Sequence, residues 1–253
     1  MNEKKIGLLL RSYASQRKDV LGVVDRAVES IKRASRLQKD GKPIFDQMVI
    51  LVPSNYDCSI TADAIRRELE MFQIPRVMIL EAEGDHASDV LNVGTDLLLG
   101  YGIDHAVIAS NKAINALTVE NMSAIIRAFD KGAKAVGVAI YELQDIILQG
   151  RLQNTFCCWD IKALQAVGGF DSKIAVEEIA PIVRLIREYG PCIAVIVPSQ
   201  MPSLAIRRSA EGIARYKAVT GTKTTRQTEE LQRVDSTFEF VQSGIMPDYP
   251  LTV

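Results

Sequence analysis

Between Trp159 and Gly190 the chain reads W-D-I-K-A-L-Q-A-V-G-G-F-D-S-K-I-A-V-E-E-I-A-P-I-V-R-L-I-R-E-Y-G. A short amphipathic segment, Asp160 to Val167, leads into the Gly168-Gly169 pair and then Phe170 and Asp171. Paired glycines supply the backbone freedom of a tight turn, and Phe170 is placed to plug the space behind it. Farther on, the adjacent carboxylates Glu177 and Glu178 open a second helical segment that runs to Tyr189. Acids are favoured in a helix's first turn, where unpaired N–H groups carry partial positive charge. The layout predicts two helices joined by a glycine turn, with an acid pair at the lip of a cleft.

On either side of this block, short apolar runs alternate with segments of helical spacing. Residues 5–10, 47–52, 76–80, 105–109 and 133–140 are almost continuously apolar rather than alternating, which predicts strands covered on both faces. Between them, Lys18 to Leu37, Thr61 to Phe72, Ala87 to Tyr101 and Thr118 to Lys131 have helical periodicity, with Ser59 or Thr61 and Thr118 as caps. The β-α-β-α rhythm specifies an α/β fold: a mainly parallel central sheet flanked by helices on both faces. Leu152 to Cys158 reads as a further strand, antiparallel in one reading, and Cys192 to Val197 as the last. After about residue 200 the core pattern fades, so the sequence divides into a domain over 1–200 and a helical or irregular tail over 201–253. That tail is locally basic, with Arg207, Arg208, Arg215, Lys217, Lys223 and Arg226 against Glu211. A solvated helical face, a homo-oligomer arm and a peripheral contact with an anionic membrane are its three readings.

Composition excludes several classes. With Lys+Arg 30 against Asp+Glu 31 and a net charge of -1, no global field favours nucleic acid as partner. Four cysteines, including the adjacent Cys157-Cys158, and two histidines match neither a disulfide framework nor a zinc spacing, so a cytoplasmic setting is expected. The cysteine pair reads as small core residues. No run is long and apolar enough for a signal peptide or a spanning helix. G-x-G-x-x-G, G-x-x-x-x-G-K-[ST] and G-x-S-x-G are all missing, which disfavours a dinucleotide site, a P-loop and a hydrolase elbow.

Right-handed crossovers bring the loops that follow the parallel strands to one edge of the sheet, where ligands bind in such folds. Those loops carry Arg11-Ser12-Tyr13, then Ser54 and Asp57, then Asp85-His86, then Ser110-Asn111-Lys112. Arg11 offers a planar fork for a phosphate or carboxylate. Tyr13 can stack on a base, and Asp57 or Asp85 can accept from a base imide or a ribose hydroxyl.

The block at 159–190 resembles one that recurs in GT-A fold nucleotide-diphospho-sugar transferases of the family 2 glycosyltransferase group. The matching residues are V-G-G-F-D at 167–171, the acid pair Glu177-Glu178, R-L-I-R-E-Y-G at 184–190 and, upstream, the N-x-G of Asn92-Val93-Gly94. The order and spacing cover roughly residues 5 to 197. The resemblance implies a GT-A fold, a nucleotide-diphospho-sugar donor and inverting transfer to an acceptor hydroxyl. By position it implies Glu178 as catalytic base with Glu177 as the alternative, and Arg11, Ser12, Tyr13, Ser54, Asp57, Asn92, Ser110, Asn111 and Lys112 on the donor side. Trp159 and Asp160 fall where the family lines the acceptor side.

One departure stands out. Where the family carries Asp-x-Asp for a divalent metal (Mn²⁺ or Mg²⁺), this chain has Ala109-Ser110-Asn111, followed by Lys112. Alanine cannot ligate, and a neutral amide oxygen replaces a carboxylate poorly on a hard cation. Either Lys112, with Arg11 or Arg151, meets the leaving-group charge without metal, or the domain has lost transfer and serves as a nucleotide-sugar binding or scaffolding module. A nucleotidyltransferase on a related sheet would be expected to show a glycine-rich, basic first loop, which this chain lacks.

Overall fold

The computed structural model describes residues 4–12, 20–53, 58–82, 87–111, 113–139, 155–171, 176–200 and 225–253. Strands β1 (Ile6–Arg11), β4 (Gln47–Pro53), β5 (Val77–Ala82), β6 (His105–Ser110), β7 (Ala135–Val138), β8 (Phe156–Asp160), β9 (Ile193–Val197) and β10 (Leu251–Thr252) form one sheet. Its order is β10-β9-β7-β8-β6-β1-β4-β5, and a separate small hairpin joins β2 (Gln38–Lys39) to β3 (Lys42–Pro43). All the sheet pairings are parallel except those of β8, which runs antiparallel between β6 and β7.

The near-continuous apolar strands are explained by helices on both faces. Leu8, Leu10, Ile50, Val107 and Val136 pack with α1 (Val20–Arg36), α2 (Cys58–Phe72) and α4 (Val119–Asp130) on one side. Leu9, Val49, Leu51, Ile108 and Trp159 face the other way, toward α3 (Ala87–Gly100), α5 (Ile161–Ala166) and α6 (Ile179–Tyr189). Successive strand side chains point to opposite faces, so one strand feeds both cores. Thr118 caps α4 as expected, its Oγ1 accepting from the Asn121 N–H at 3.1 Å. The second helix, by contrast, already begins at Cys58, which places Ser59 and Thr61 inside it.

The C-terminal region departs from the expected division. Helix α7 (225–233) contributes Leu231 to the second core, α8 (Phe238–Ser243) contributes Val241, and β10 extends the sheet beside β9. Residues 225–253 therefore belong to the same core as the residues before 200. Of the basic run in the tail only Arg226 is described. None of the helices among the described residues is long and apolar enough to cross a membrane.

Two contacts of this core are testable. A Cβ added at Gly94 would meet Leu9 Cδ1 at 2.7 Å, so glycine lets α3 lie close against β1. Gly94→Ala is expected to cost about 1–3 kcal/mol in urea unfolding through overpacking. His105 is buried against Phe129, ring centroids 3.9 Å apart, and burial followed by the charge of Lys4 lowers its pKa to about 4. An unfolded histidine already binds a proton near pH 6.5, so the folded state binds fewer protons between those values. Stability is thus complete above about pH 6.5 and falls, on the order of 2 kcal/mol, as pH drops toward 4. Thermal melts across this range should show that loss, and His105→Leu should remove it.

Candidate functional site

The ends of β1 and β6 lie side by side, with Arg11 in register with Ser110. Beyond them the two chains stay joined, because the Asn111 N–H donates to the Arg11 carbonyl at 3.4 Å. Ser12 is fully buried, its N–H donating to the Leu51 carbonyl at 3.0 Å, and the Asn111 amide reaches Ser12 Oγ at 3.5 Å. The Ser110 hydroxyl is buried and has no hydrogen-bond partner among the described residues. Four of the donor-side residues expected from sequence, Arg11, Ser12, Ser110 and Asn111, are thus brought together at the carboxyl edge of the parallel strands. Tyr13, Ser54, Asp57 and Lys112 lie outside the described residues, as do Asp85, His86 and Arg151.

The acid pair reaches the same edge. Arg11 Nη1 donates to Glu177 Oε1 at 2.6 Å across most of the chain's length, with the Glu177 side chain only 9% exposed. Glu178 is buried beside it at the head of α6 and makes no side-chain cap bond to the helix. Cys157 lies beneath. Burial raises its thiol well above the ordinary range, and the charges of Cys158 and then Glu178 push it farther the same way. Burial raises the Cys158 thiol as well, and both cysteines are fully buried, which suits core residues and not nucleophiles.

Asn92 has a role that its loop-adjacent position did not suggest. Its side-chain oxygen accepts from the Phe170 N–H at 2.8 Å and its amide donates to the Phe170 carbonyl at 2.8 Å. This two-way bond clamps the G-G-F-D turn onto α3, so Asn92 is occupied with backbone and is corrected from donor contact to positioning residue. Gly169 adopts φ 69°, and a Cβ there would meet Asn92 Oδ1 at 2.7 Å. Glycine is needed for both the backbone angle and the approach. Asp171 next accepts from Arg184 Nη2 at 2.6 Å, while its carbonyl accepts from Arg233 Nη2 at 2.6 Å, tying the turn to α6 and to the helix over 225–233.

Trp159 and Asp160 are not part of this edge. Because β8 is antiparallel, Asp160 pairs with His105 at the start of β6, whereas Phe156 pairs with Ala109 near its end. At about 3.3 Å per residue, Asp160 lies roughly 16 Å from the strand-end edge. Trp159 is fully buried and meets Phe170 edge to face, centroids 5.2 Å apart. Its expected place beside an acceptor sugar is therefore corrected to packing behind the glycine turn. Asp160 instead caps α5, accepting from the Ala163 N–H at 3.0 Å, and pairs with Lys134 at 3.1 Å. Burial pushes its carboxyl upward, but the Ala163 amide and Lys134 together hold it below the usual range.

The residues at the metal position of the family do not fit a divalent cation. Ala109 has no donor atom, the Asn111 amide is turned to Ser12, and no group of three or more His, Cys, Asp or Glu gathers among the described residues.

Comparisons with known proteins fit this geometry. No protein-family model matches the sequence, and no curated protein matches it. Among solved structures, a mannosyltransferase from Pyrobaculum calidifontis, determined with GDP-mannose and Mn²⁺, superposes with TM-score 0.66 over 92% of this chain at 12% identity. This chain spans only 65% of that protein's length. A cytidylyltransferase from Leptospira borgpetersenii gives TM-score 0.53 over 95% of this chain and 98% of its own, at 11% identity. A 4-diphosphocytidyl-2C-methyl-D-erythritol synthase from Anaerococcus prevotii gives 0.53 over 86% and 96%, at 13% identity. The chain has the nucleotide-diphospho-sugar transferase fold.

The Asn92 clamp is open to direct measurement. Asn92→Ala leaves the N–H and C=O of Phe170 without these bonds, an expected loss of about 2–6 kcal/mol in urea unfolding at about 1–3 kcal/mol per group. Hydrogen exchange at the Phe170 amide should accelerate in the same variant. A stability change below about 0.5 kcal/mol would mean that the clamp carries no weight.

Proposed function

We propose that this chain binds a nucleotide-diphospho-sugar along the strand-end edge and transfers its sugar to an acceptor hydroxyl with inversion, Glu178 acting as base. The observation that carries the reading is the meeting of Arg11 with Glu177, beside the buried Glu178, at the carboxyl edge of a parallel sheet. Ligands in this class of sheet bind outside that edge. There the Ser110 hydroxyl offers a donor and acceptor to a donor substrate, and Ser12 and Asn111 shape the floor beneath it.

The division of labour follows from the ion pair. Glu177 has an oxygen engaged by Arg11 and holds the guanidinium in place, while the proton transfer is assigned to Glu178 from its position at the head of α6. The acceptor hydroxyl gives its proton to the Glu178 carboxylate as its oxygen bonds to the anomeric carbon. The bond from that carbon to the diphosphate breaks, and the nucleoside diphosphate leaves with the electron pair. Positive groups aimed at that oxygen stabilise the developing charge. Arg11 supplies one, and Lys112 and Arg151, which lie outside the described residues, are assigned as the others. The replacement of the acidic metal motif by Ala109-Ser110-Asn111 makes this charge compensation metal-independent.

The same replacement favours a second reading, a module that binds nucleotide-sugar without transferring it. A thermal-shift screen of UDP-, GDP-, CMP- and dTDP-sugars with and without Mn²⁺ addresses both, since ligands of the folded state raise apparent stability. At least one donor should raise the melting temperature in the presence of chelator; no shift with any donor contradicts both readings. Given a binding donor, Glu178→Gln should keep the shift while kcat falls about 100- to 10,000-fold. Binding with neither transfer nor hydrolysis in the wild type would select the module, and dependence on Mn²⁺ would overturn the metal-independent step.

A further inference from the structure

We infer that the opposite edge of the sheet, where the parallel strands begin, carries a second binding site that takes a phosphate group held between Lys4, Lys162 and Lys134 beside the His105 ring. A cleft of about 580 Å³ opens there, lined by these residues together with Asp104 and Asp160. It is separated from the Arg11 edge by the length of β6, roughly 16–20 Å.

Charge accounting at this cleft leaves cations in excess. Asp104 Oδ2 accepts from the Lys5 N–H at 2.9 Å. Asp160 has one oxygen on the Ala163 N–H and the other on Lys134. Lys4 and Lys162 have no ion pair among the described residues. Lys134 is matched by Asp160, and Lys4 and Lys162 share the single remaining carboxylate, Asp104, so the cleft has three lysines against two acids and one positive charge in excess.

His105 supplies the second, independent observation. The residue is 4% exposed, yet neither Nδ1 nor Nε2 has a hydrogen-bond partner among the described residues. Its ring carbons are covered by Phe129. Unpaired buried polar atoms are costly and rare in folded proteins. With its pKa lowered to about 4 by burial and then by Lys4, the ring is neutral and carries one N–H donor and one acceptor. A phosphate monoester, with anionic oxygens for the lysines and an oxygen to accept from the ring N–H, matches the excess charge and the ring's donor nitrogen. A simple carboxylate offers fewer acceptors, and a nucleobase leaves the excess charge unmatched. The cleft exceeds the bulk of inorganic phosphate alone, which leaves room for an esterified group.

The site is tested by titrating potassium phosphate into the whole chain by calorimetry at constant ionic strength, with potassium chloride as control. The histidine ring signals are followed by NMR in parallel. Saturable phosphate binding that shifts the His105 ring signals is expected, with at least a tenfold weaker Kd in the double variant Lys4→Ala, Lys162→Ala. Both lysines are at the surface or its rim, and an unchanged melt for the variant would show that folding is intact. No saturable heat, an unchanged Kd in the double variant, or saturable binding without a shift of the His105 ring signals would each overturn the assignment.

Discussion

A single side-chain amide, that of Asn92, pairs with both polar groups of the Phe170 peptide unit and so joins α3 to the G-G-F-D turn. Everything downstream is set from this point. Phe170 is driven under Trp159, Asp171 is directed to Arg184 and Arg233, and the chain then returns to deliver Glu177 to Arg11. The close approach is available only because Gly169 has no Cβ to meet Asn92 Oδ1. Gly94, two residues along the same helix, similarly lets α3 settle on Leu9 of β1. The Asn92-Val93-Gly94 motif is in this sense a packing device that aligns the acid pair with the strand ends.

The sheet's polarity then separates two chemical environments. At the carboxyl edge, Arg11 faces Glu177 and lies near Ser110 and Asn111. At the amino edge, lysines gather around a buried imidazole. The antiparallel strand β8 connects the two, with Phe156 near the first and Asp160 at the second. Its direction alone moves Asp160 from an expected substrate position to a helix cap.

Much of this was legible in the chain. Continuously apolar runs such as L-L-L at 8–10 identify strands covered on both faces, and those residues alternate between the two cores as expected. The glycine turn, the plug Phe170, the burial of Cys157-Cys158 and the Thr118 cap also follow from local chemistry. Long-range pairing was not legible. The Arg11 to Glu177 bond joins residues 166 positions apart, and no spacing rule links a loop arginine to a helix acid. Trp159 and Asp160 were misplaced because a five-residue apolar strand shows burial but not which end meets which edge. The contribution of residues 225–253 was hidden because Leu231, Val234, Phe238 and Val241 are interspersed with charges. The cleft at the amino edge combines residues from five separate segments, with no motif among them.

The central claim is that the strand-end edge around Arg11, Ser12, Ser110 and Asn111 is the nucleotide site. Amide chemical-shift mapping during titration with UDP, GDP, CDP and dTDP tests it most directly. Saturable shifts at Ser12, Ser110, Asn111 and Glu177 with at least one nucleotide are the predicted result. Shifts confined to Lys4, His105 and Lys162, or no saturable shift with any of the four, would contradict it.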